Sequence, residues 1–258
     1  TMPFKQNSDL LWLSGIDQEE SKLIICRNQN GEMTEHLFLK ETSDLIAIWE
    51  GAKLNKDQAF QTSGIKNISW NASFKDKLTE LMDTVSLVYL NSNEHSRATS
   101  EVETQTDRMN SWCKKTYSSK EYKKVALELH ELRSVKNKIE IELLQKACNI
   151  TESGFRRVLQ FVKPGVKEYE IEAEYIHEFL INRSRGFAYE PIIASGRNAC
   201  VLHYIDNNQE CKDGDVILMD VGAEYANYAS DMTRCIPVNG RFTKRQKQVY
   251  NSVLTDQE

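Results

Sequence analysis

The chain has no pair of cysteines at C-x-x-C spacing. Its six cysteines, Cys26, Cys113, Cys148, Cys200, Cys211 and Cys235, stand singly along 258 residues. That scatter excludes a paired-cysteine zinc site and argues against a disulfide framework, so free thiols in a reducing, cytoplasmic setting are expected. No apolar run approaches the roughly 20 residues needed to span a bilayer, and Thr1-Met2-Pro3-Phe4-Lys5-Gln6 lacks signal-peptide architecture. No membrane association is expected. Positive charge is in the minority: 33 Lys and Arg against 38 Asp and Glu leave a net charge of −5. No nucleic-acid partner is therefore expected. The densest basic run, Lys244-Arg245-Gln246-Lys247, reads as a solvated helix face. P-loop, GxGxxG, G-x-S-x-G and H-E-x-x-H patterns are all missing, as are internal repeats and low-complexity tracts.

What is present is enough apolar material for a core (40%) and enough charge (28%) for solubility, in a length suited to one large domain or two medium ones. The expected division is an N-terminal domain over 1–117, a linker over 118–135 and a second domain over 136–258. In the first, Leu10–Leu13, Lys22–Cys26, Leu37–Leu39 and Val85–Leu90 read as strands, with Asn30-Gly31 as a hairpin turn. Ser43–Trp49 and Ser73–Met82 read as helices, so the domain alternates as an α/β layer does. Residues 91–118 are polar and read as a loop or insertion with too little apolar surface to bury.

The second domain opens on a strong helix signal. Asn137 with Glu140 makes a capping box, and Ile139, Leu143, Leu144, Ala147, Ile150, Phe155, Val158, Leu159 and Val162 follow at helical spacing until Pro164-Gly165. Tyr169–Leu180 fits a second helix, with Ile171, Tyr175, Ile176 and Phe179 on one side. Beyond Gly186 the pattern changes to strands at Pro191–Ala194, Val216–Val221 and Tyr225–Ile236. Thr243 with Gln246 then caps a helix running through Leu254.

The chemistry concentrates in Val216-Ile217-Leu218-Met219-Asp220-Val221-Gly222 and in Asp231, eleven residues past Asp220. Asp220 stands in a buried-strand pattern where a hydrophobe belongs. Gly222-Ala223 marks a tight connection, so strands 216–221 and 225–231 are expected to pair antiparallel and to project Asp220 and Asp231 to one face. A carboxylate taken out of water needs a cation or donors, and two together repel unless one protonates or a metal sits between them. The competing reading is that Asp220 only caps the turn before Gly222. His203, in Leu202-His203-Tyr204, reads either as a structural histidine or as a group that binds an oxyanion or shuttles protons. His36, His95, His130 and His177 have no partner at ligand spacing and read as surface or structural. Cys200 is too near His203 in sequence for nucleophile–base geometry.

These segments carry a resemblance. Ser195-Gly196-Arg197-Asn198, Leu202-His203-Tyr204, Asp213-Gly214-Asp215, Met219–Tyr225, Ala229–Arg234 and Pro237–Thr243 together resemble the catalytic domain of aminopeptidase P and prolidase, the pita-bread metallopeptidases. Glu131-Leu132-Arg133 and Lys136-Asn137 extend it backward. Pro3–Asp9 and Leu13-Ser14-Gly15 are similar to the non-catalytic domain of aminopeptidase P. The resemblance covers most of the chain except residues 91–118.

It implies an α/β N-terminal domain of the creatinase/prolidase type, followed by an α+β pita-bread domain incomplete in this chain. It implies that Asp231 bridges two divalent ions, manganese first with cobalt or zinc as alternatives, and that Asp220 binds one of them. His203 would contact substrate and help to stabilise the tetrahedral intermediate. The substrates implied are peptides with proline second; Xaa-Pro dipeptides are the prolidase alternative, and a non-catalytic scaffold is the alternative of another class. A homodimer or homotetramer, formed partly through the N-terminal domain, is implied as well. The family's remaining ligands, one histidine and two glutamates, lie beyond this hairpin. The chain is therefore expected to be an internal portion of a longer protein, and inactive by itself.

Overall fold

The computed structural model describes residues 4–92 and 102–257. Expectations for residues 93–101, including His95, and for Pro3 lie outside the described residues. Two compact units divide the chain, Thr1–Val135 and Lys136–Glu258.

In the first unit, α1 spans Ser8–Ser14. The strand expected at Leu10–Leu13 is thus helical. The Asn7 side chain accepts from the Asp9 and Leu10 N–H groups, and left-handed Gly15 closes the last turn. A short apolar run carries no period of its own, and here the cap decides. Next, β1 (Lys22–Arg27) and β2 (Met33–Leu39) form an antiparallel hairpin, followed by α2 (Asp44–Glu50) and α3 (Lys56–Ser63). Then β3 (Asn67–Trp70) pairs parallel to β2, completing the order β1-β2-β3. After α4 (Phe74–Met82) comes β4 (Leu87–Leu90).

The polar stretch expected as a loop contains α5 (Gln105–Thr116), closed at its start by a Thr104/Asp107 capping box. Its sparse apolar residues, Met109, Trp112 and Cys113, fall at i, i+3 and i+4 and pack with Phe38, Phe74, Leu78 and Met82. Three side chains on one stripe suffice to dock a helix that is otherwise polar. Residues 118–135, expected as a linker, carry β5 (Glu121–Lys124), parallel to β4, and α6 (Ala126–Ser134), both inside the first unit.

The second unit begins with α7 (Lys138–Phe161), where Asn137 and Glu140 form the expected capping box. Helix α8 (Glu168–Ile181) follows, then β6 (Ile192–Ser195) and β7 (Val216–Val221). A two-stranded ribbon, β8 (Glu224–Tyr225) and β9 (Tyr228–Ala229), leads to β10 (Met232–Pro237). The last element is α9 (Lys244–Gln257), capped by Thr243 and Gln246 as expected. The sheet order is β10-β7-β6, antiparallel throughout. Ile150, Val158, Ile171, Tyr175 and Phe179 from the two helices form one core with Ile193, Ile217, Met219 and Val221 from the strands. Full burial of such a side chain stabilises the fold by roughly 1.5–3 kcal/mol.

The buried stripe of α7 is narrower than the sequence pattern. Ile139 and Leu159 are exposed, whereas Thr151 and Gly154 are buried. A Cβ at Gly154 would lie 2.8 Å from Tyr175 Cδ1. Glycine there lets α7 and α8 approach closely. On α8, Ile171, Tyr175 and Phe179 are fully buried, and Ile176 stays 36% exposed at the edge of that face.

Candidate metal centre

Strand β7 alternates strictly. Ile217, Met219 and Val221 point into the core, and Val216, Leu218 and Asp220 point the other way, half-buried. Asp220 therefore occupies the face opposite the helices. No hydrophobe is displaced from the core: the apolar run looks continuous because both faces of this central strand are partly covered. The electrostatic cost expected from a buried strand is reduced accordingly, and Asp231 is exposed.

The pairing differs from expectation. Strand β7 pairs with β10, with Val221 opposite Met232 and Asp220 opposite Thr233. Residues 224–229 form their own ribbon, which turns at Ala226 and Asn227, both with positive φ (50° and 67°). Positive φ at both central residues is the mark of the type I′ turn that a two-residue hairpin favours. Asp231 comes immediately after the ribbon and before β10. The chain crosses itself there: a Cβ at Gly222 would fall 1.9 Å from the Ser230 carbonyl oxygen. Only glycine permits that approach.

Helix α7 fixes the crossing. Thr151 Oγ1 and Ser230 Oγ are 2.6 Å apart, and the Ala223 N–H donates to both, at 2.8 and 2.9 Å. All three groups are buried, so the network supplies partners that water cannot.

The two carboxylates are brought together by a residue that the sequence reading missed. The Tyr189 hydroxyl lies 2.6 Å from Asp220 Oδ1 and 3.1 Å from Asp231 Oδ1. A hydroxyl has one proton, so it donates to one carboxylate at a time while touching both. Burial first, and then the hydrogen bond to Asp220, hold this phenol far above its usual range, so it stays protonated. Tyr189 precedes Asp220 by 31 residues and Asp231 by 42, and no local pattern marks it. The alternative that Asp220 caps a turn has no counterpart here, since its carboxylate takes a tyrosine hydroxyl rather than a backbone N–H.

His203 lies in the exposed loop that follows the 3₁₀ turn Gly196–Cys200, with a left-handed φ of 56°. The six cysteines are all free, as expected. Among the described residues, no group of three or more His, Cys, Asp or Glu side chains is placed to hold a metal ion. Asp220 and Asp231 form an oxygen-donor pair of the kind that hard divalent cations take. The pair fits part of such a site.

A family profile described as Metallopeptidase family M24 matches residues 142–258, and one described as Aminopeptidase P, N-terminal domain, matches residues 1–89. Residues 142–258 belong to the M24 metallopeptidase family. It is 31% identical to the Xaa-Pro aminopeptidase of Escherichia coli over 260 residues, which is 99% of this chain and 58% of that protein. Among solved structures it is similar to proline aminopeptidase P II from Yersinia pestis, with a TM-score of 0.85 and 30% identity over 98% of this chain and 58% of that one. It is also similar to zinc-substituted E. coli aminopeptidase P in complex with product, with a TM-score of 0.84, 30% identity and the same coverage. The chain thus spans a little under three-fifths of these M24 relatives. Its fold is an aminopeptidase P-type N-terminal domain followed by part of a pita-bread domain.

Proposed function

We propose that the whole protein is a metal-dependent Xaa-Pro aminopeptidase, releasing the N-terminal residue from peptides with proline in second position. The convergence of Asp220 and Asp231 on one tyrosine hydroxyl is the observation that carries this reading. The names of the relatives support it. Asp220 and Asp231 would supply carboxylate ligands to two divalent ions, manganese first, with cobalt or zinc as alternatives. Bound there, such ions would supply Lewis acidity to the scissile carbonyl and acidity to the attacking water.

The chain's own residues do the rest. Tyr189 touches both carboxylates through its hydroxyl and donates its proton to one of them at a time. His203, exposed on its loop, would donate an N–H to the scissile carbonyl oxygen as charge develops on it. The aminopeptidase reading is preferred to prolidase because residues 1–89 match the aminopeptidase P N-terminal domain. Self-association as a homodimer or homotetramer is supported by α2, which exposes Leu45, Ile48 and Trp49 (81% exposed) and buries no residue. A cytoplasmic setting is supported by the six free cysteines. No helix among the described residues is long and apolar enough to cross a membrane.

The whole protein, supplied with manganese, is expected to cleave Xaa-Pro-Xaa tripeptides and longer peptides. Cleavage of dipeptides only would establish prolidase. Stoichiometric metal binding with no cleavage of any Xaa-Pro peptide would support the non-catalytic scaffold.

A further inference from the structure

Glu168 opens α8 and is fully buried. Its carboxylate is satisfied by neutral donors from both ends of one loop. Oε1 accepts from the Ser195 N–H and the Ser195 hydroxyl, each at 2.7 Å. Oε2 accepts from the Tyr204 hydroxyl at 2.8 Å and the Gln209 N–H at 2.9 Å. The Glu168 N–H returns a bond to the Gln209 carbonyl at 3.0 Å. Four donors compensate the loss of water around this carboxylate.

The loop between Ser195 and Gln209 is the one that carries His203. A second clamp holds it: buried Asn207 accepts from the Ile193 N–H at 3.0 Å and donates to the Pro191 carbonyl and the Glu172 carboxylate. Between the clamps the tip stands out, with Leu202 92% exposed and His203 exposed beside it. An exposed, left-handed histidine on a loop has few contacts of its own to set its position. The loop's base must set it.

We propose that Glu168 is a positioning residue for the reaction: its buried carboxylate clamps both ends of the 196–208 loop and so sets where His203 meets the peptide. The proposal rests on the functional reading above. The chemistry requires a carboxylate. Each oxygen faces one backbone N–H, from Ser195 or from Gln209, and a backbone N–H cannot turn round to accept. A glutamine amide, in either orientation, would set its NH₂ against one of them.

The test uses the whole metal-loaded protein with Glu168→Gln, His203→Ala and the double variant. Glu168→Gln is expected to keep its metal content, to speed amide exchange in residues 196–208 by about tenfold or more while leaving β7 unchanged, and to lower kcat/KM by about 30-fold. In the His203→Ala background the same change is expected to lower kcat/KM by less than about threefold, since coupled residues are not additive. Equal losses in both backgrounds, or unchanged exchange in the loop, overturn the positioning role and leave the peptidase reading standing. A wild-type protein that binds metal and cleaves no Xaa-Pro peptide overturns both. Should Glu168→Gln fail to fold, Tyr204→Phe removes one donor and keeps the ring. It is expected to show a smaller loss with the same dependence on His203, and a loss independent of His203 counts against the clamp.

Discussion

The Tyr189 hydroxyl stands 2.6 Å from Asp220 Oδ1 and 3.1 Å from Asp231 Oδ1, with one proton to donate to either. Tyr189→Phe keeps the ring and removes that proton. The two carboxylates would then repel across the gap with nothing to orient them. Loss of a group that orients ligands costs about 10- to 100-fold in metal affinity or activity. Titration of the apo form of the whole protein with manganese is expected to show such a weakening, with the far-ultraviolet circular dichroism unchanged. Undiminished affinity would show that Tyr189 plays no part in setting the pair.

Gly222 admits no side chain. A methyl group there would sit 1.9 Å from the Ser230 carbonyl oxygen, which is backbone and cannot swing aside. Gly222→Ala is expected to destabilise the protein by about 4 kcal/mol or more, with midpoint loss in urea denaturation as the measure. A change below 1 kcal/mol would mean that the crossing of the chain at Ser230 is looser than described.

Thr151 ties α7 to the same crossing. Thr151→Val keeps the volume and removes the oxygen that accepts from the Ala223 N–H and meets Ser230 Oγ. The Ala223 N–H retains Ser230 Oγ, so the expected cost is about 1–2 kcal/mol. Thr151→Ser keeps the oxygen and should recover most of it. Equal denaturation midpoints for the wild type and Thr151→Val would contradict this.

Cysteine reactivity should follow burial. Cys148 and Cys200 are exposed, while Cys26, Cys113 and Cys211 are buried. Burial pushes the Cys211 thiol up to about 11 from 9.0. At pH 8, native protein is expected to alkylate at Cys148 and Cys200 within minutes, with the buried three protected until unfolding, as read by peptide mass spectrometry. The raised value also sets a sign. The folded state holds the Cys211 proton more tightly than the unfolded chain does, so this contribution to stability is complete below pH 9.0 and is lost as pH rises towards about 11. Cys211→Ser is expected to flatten that part of the pH–stability curve.

Helix α2 offers a test of assembly. A combined Ile48→Ser and Trp49→Ser change removes two exposed apolar side chains that no core contact uses. Interface tryptophans commonly contribute 2 kcal/mol or more, so self-association is expected to weaken by about 30-fold. Sedimentation velocity on the whole protein over a dilution series would reveal it. An unaltered distribution of species would place the interface elsewhere.

The helices of the second unit were legible because their signals are local. The Asn137/Glu140 capping box, the Thr243/Gln246 cap and the apolar period of α8 each span only a few turns of chain. The same locality explains the misreadings. Leu10–Leu13 is too short to show a period, and its state follows from the Asn7 cap. Helix α5 hides in polar composition because only Met109, Trp112 and Cys113 need to be apolar for it to dock on Phe38 and Phe74.

For the candidate centre, the sequence alone singled out two carboxylates: Asp220 breaks an apolar strand, and Asp231 follows within a hairpin's length. It determined neither the side of the sheet they occupy nor what joins them. Strand alternation puts Asp220 on the face away from the core, an inserted ribbon aims Asp231, and Tyr189 and Glu168 act on groups tens of residues away. Hydrogen bonds across such separations leave no period, cap or spacing in the chain. They exist only once packing has brought the segments together, and so the tertiary structure alone decides them.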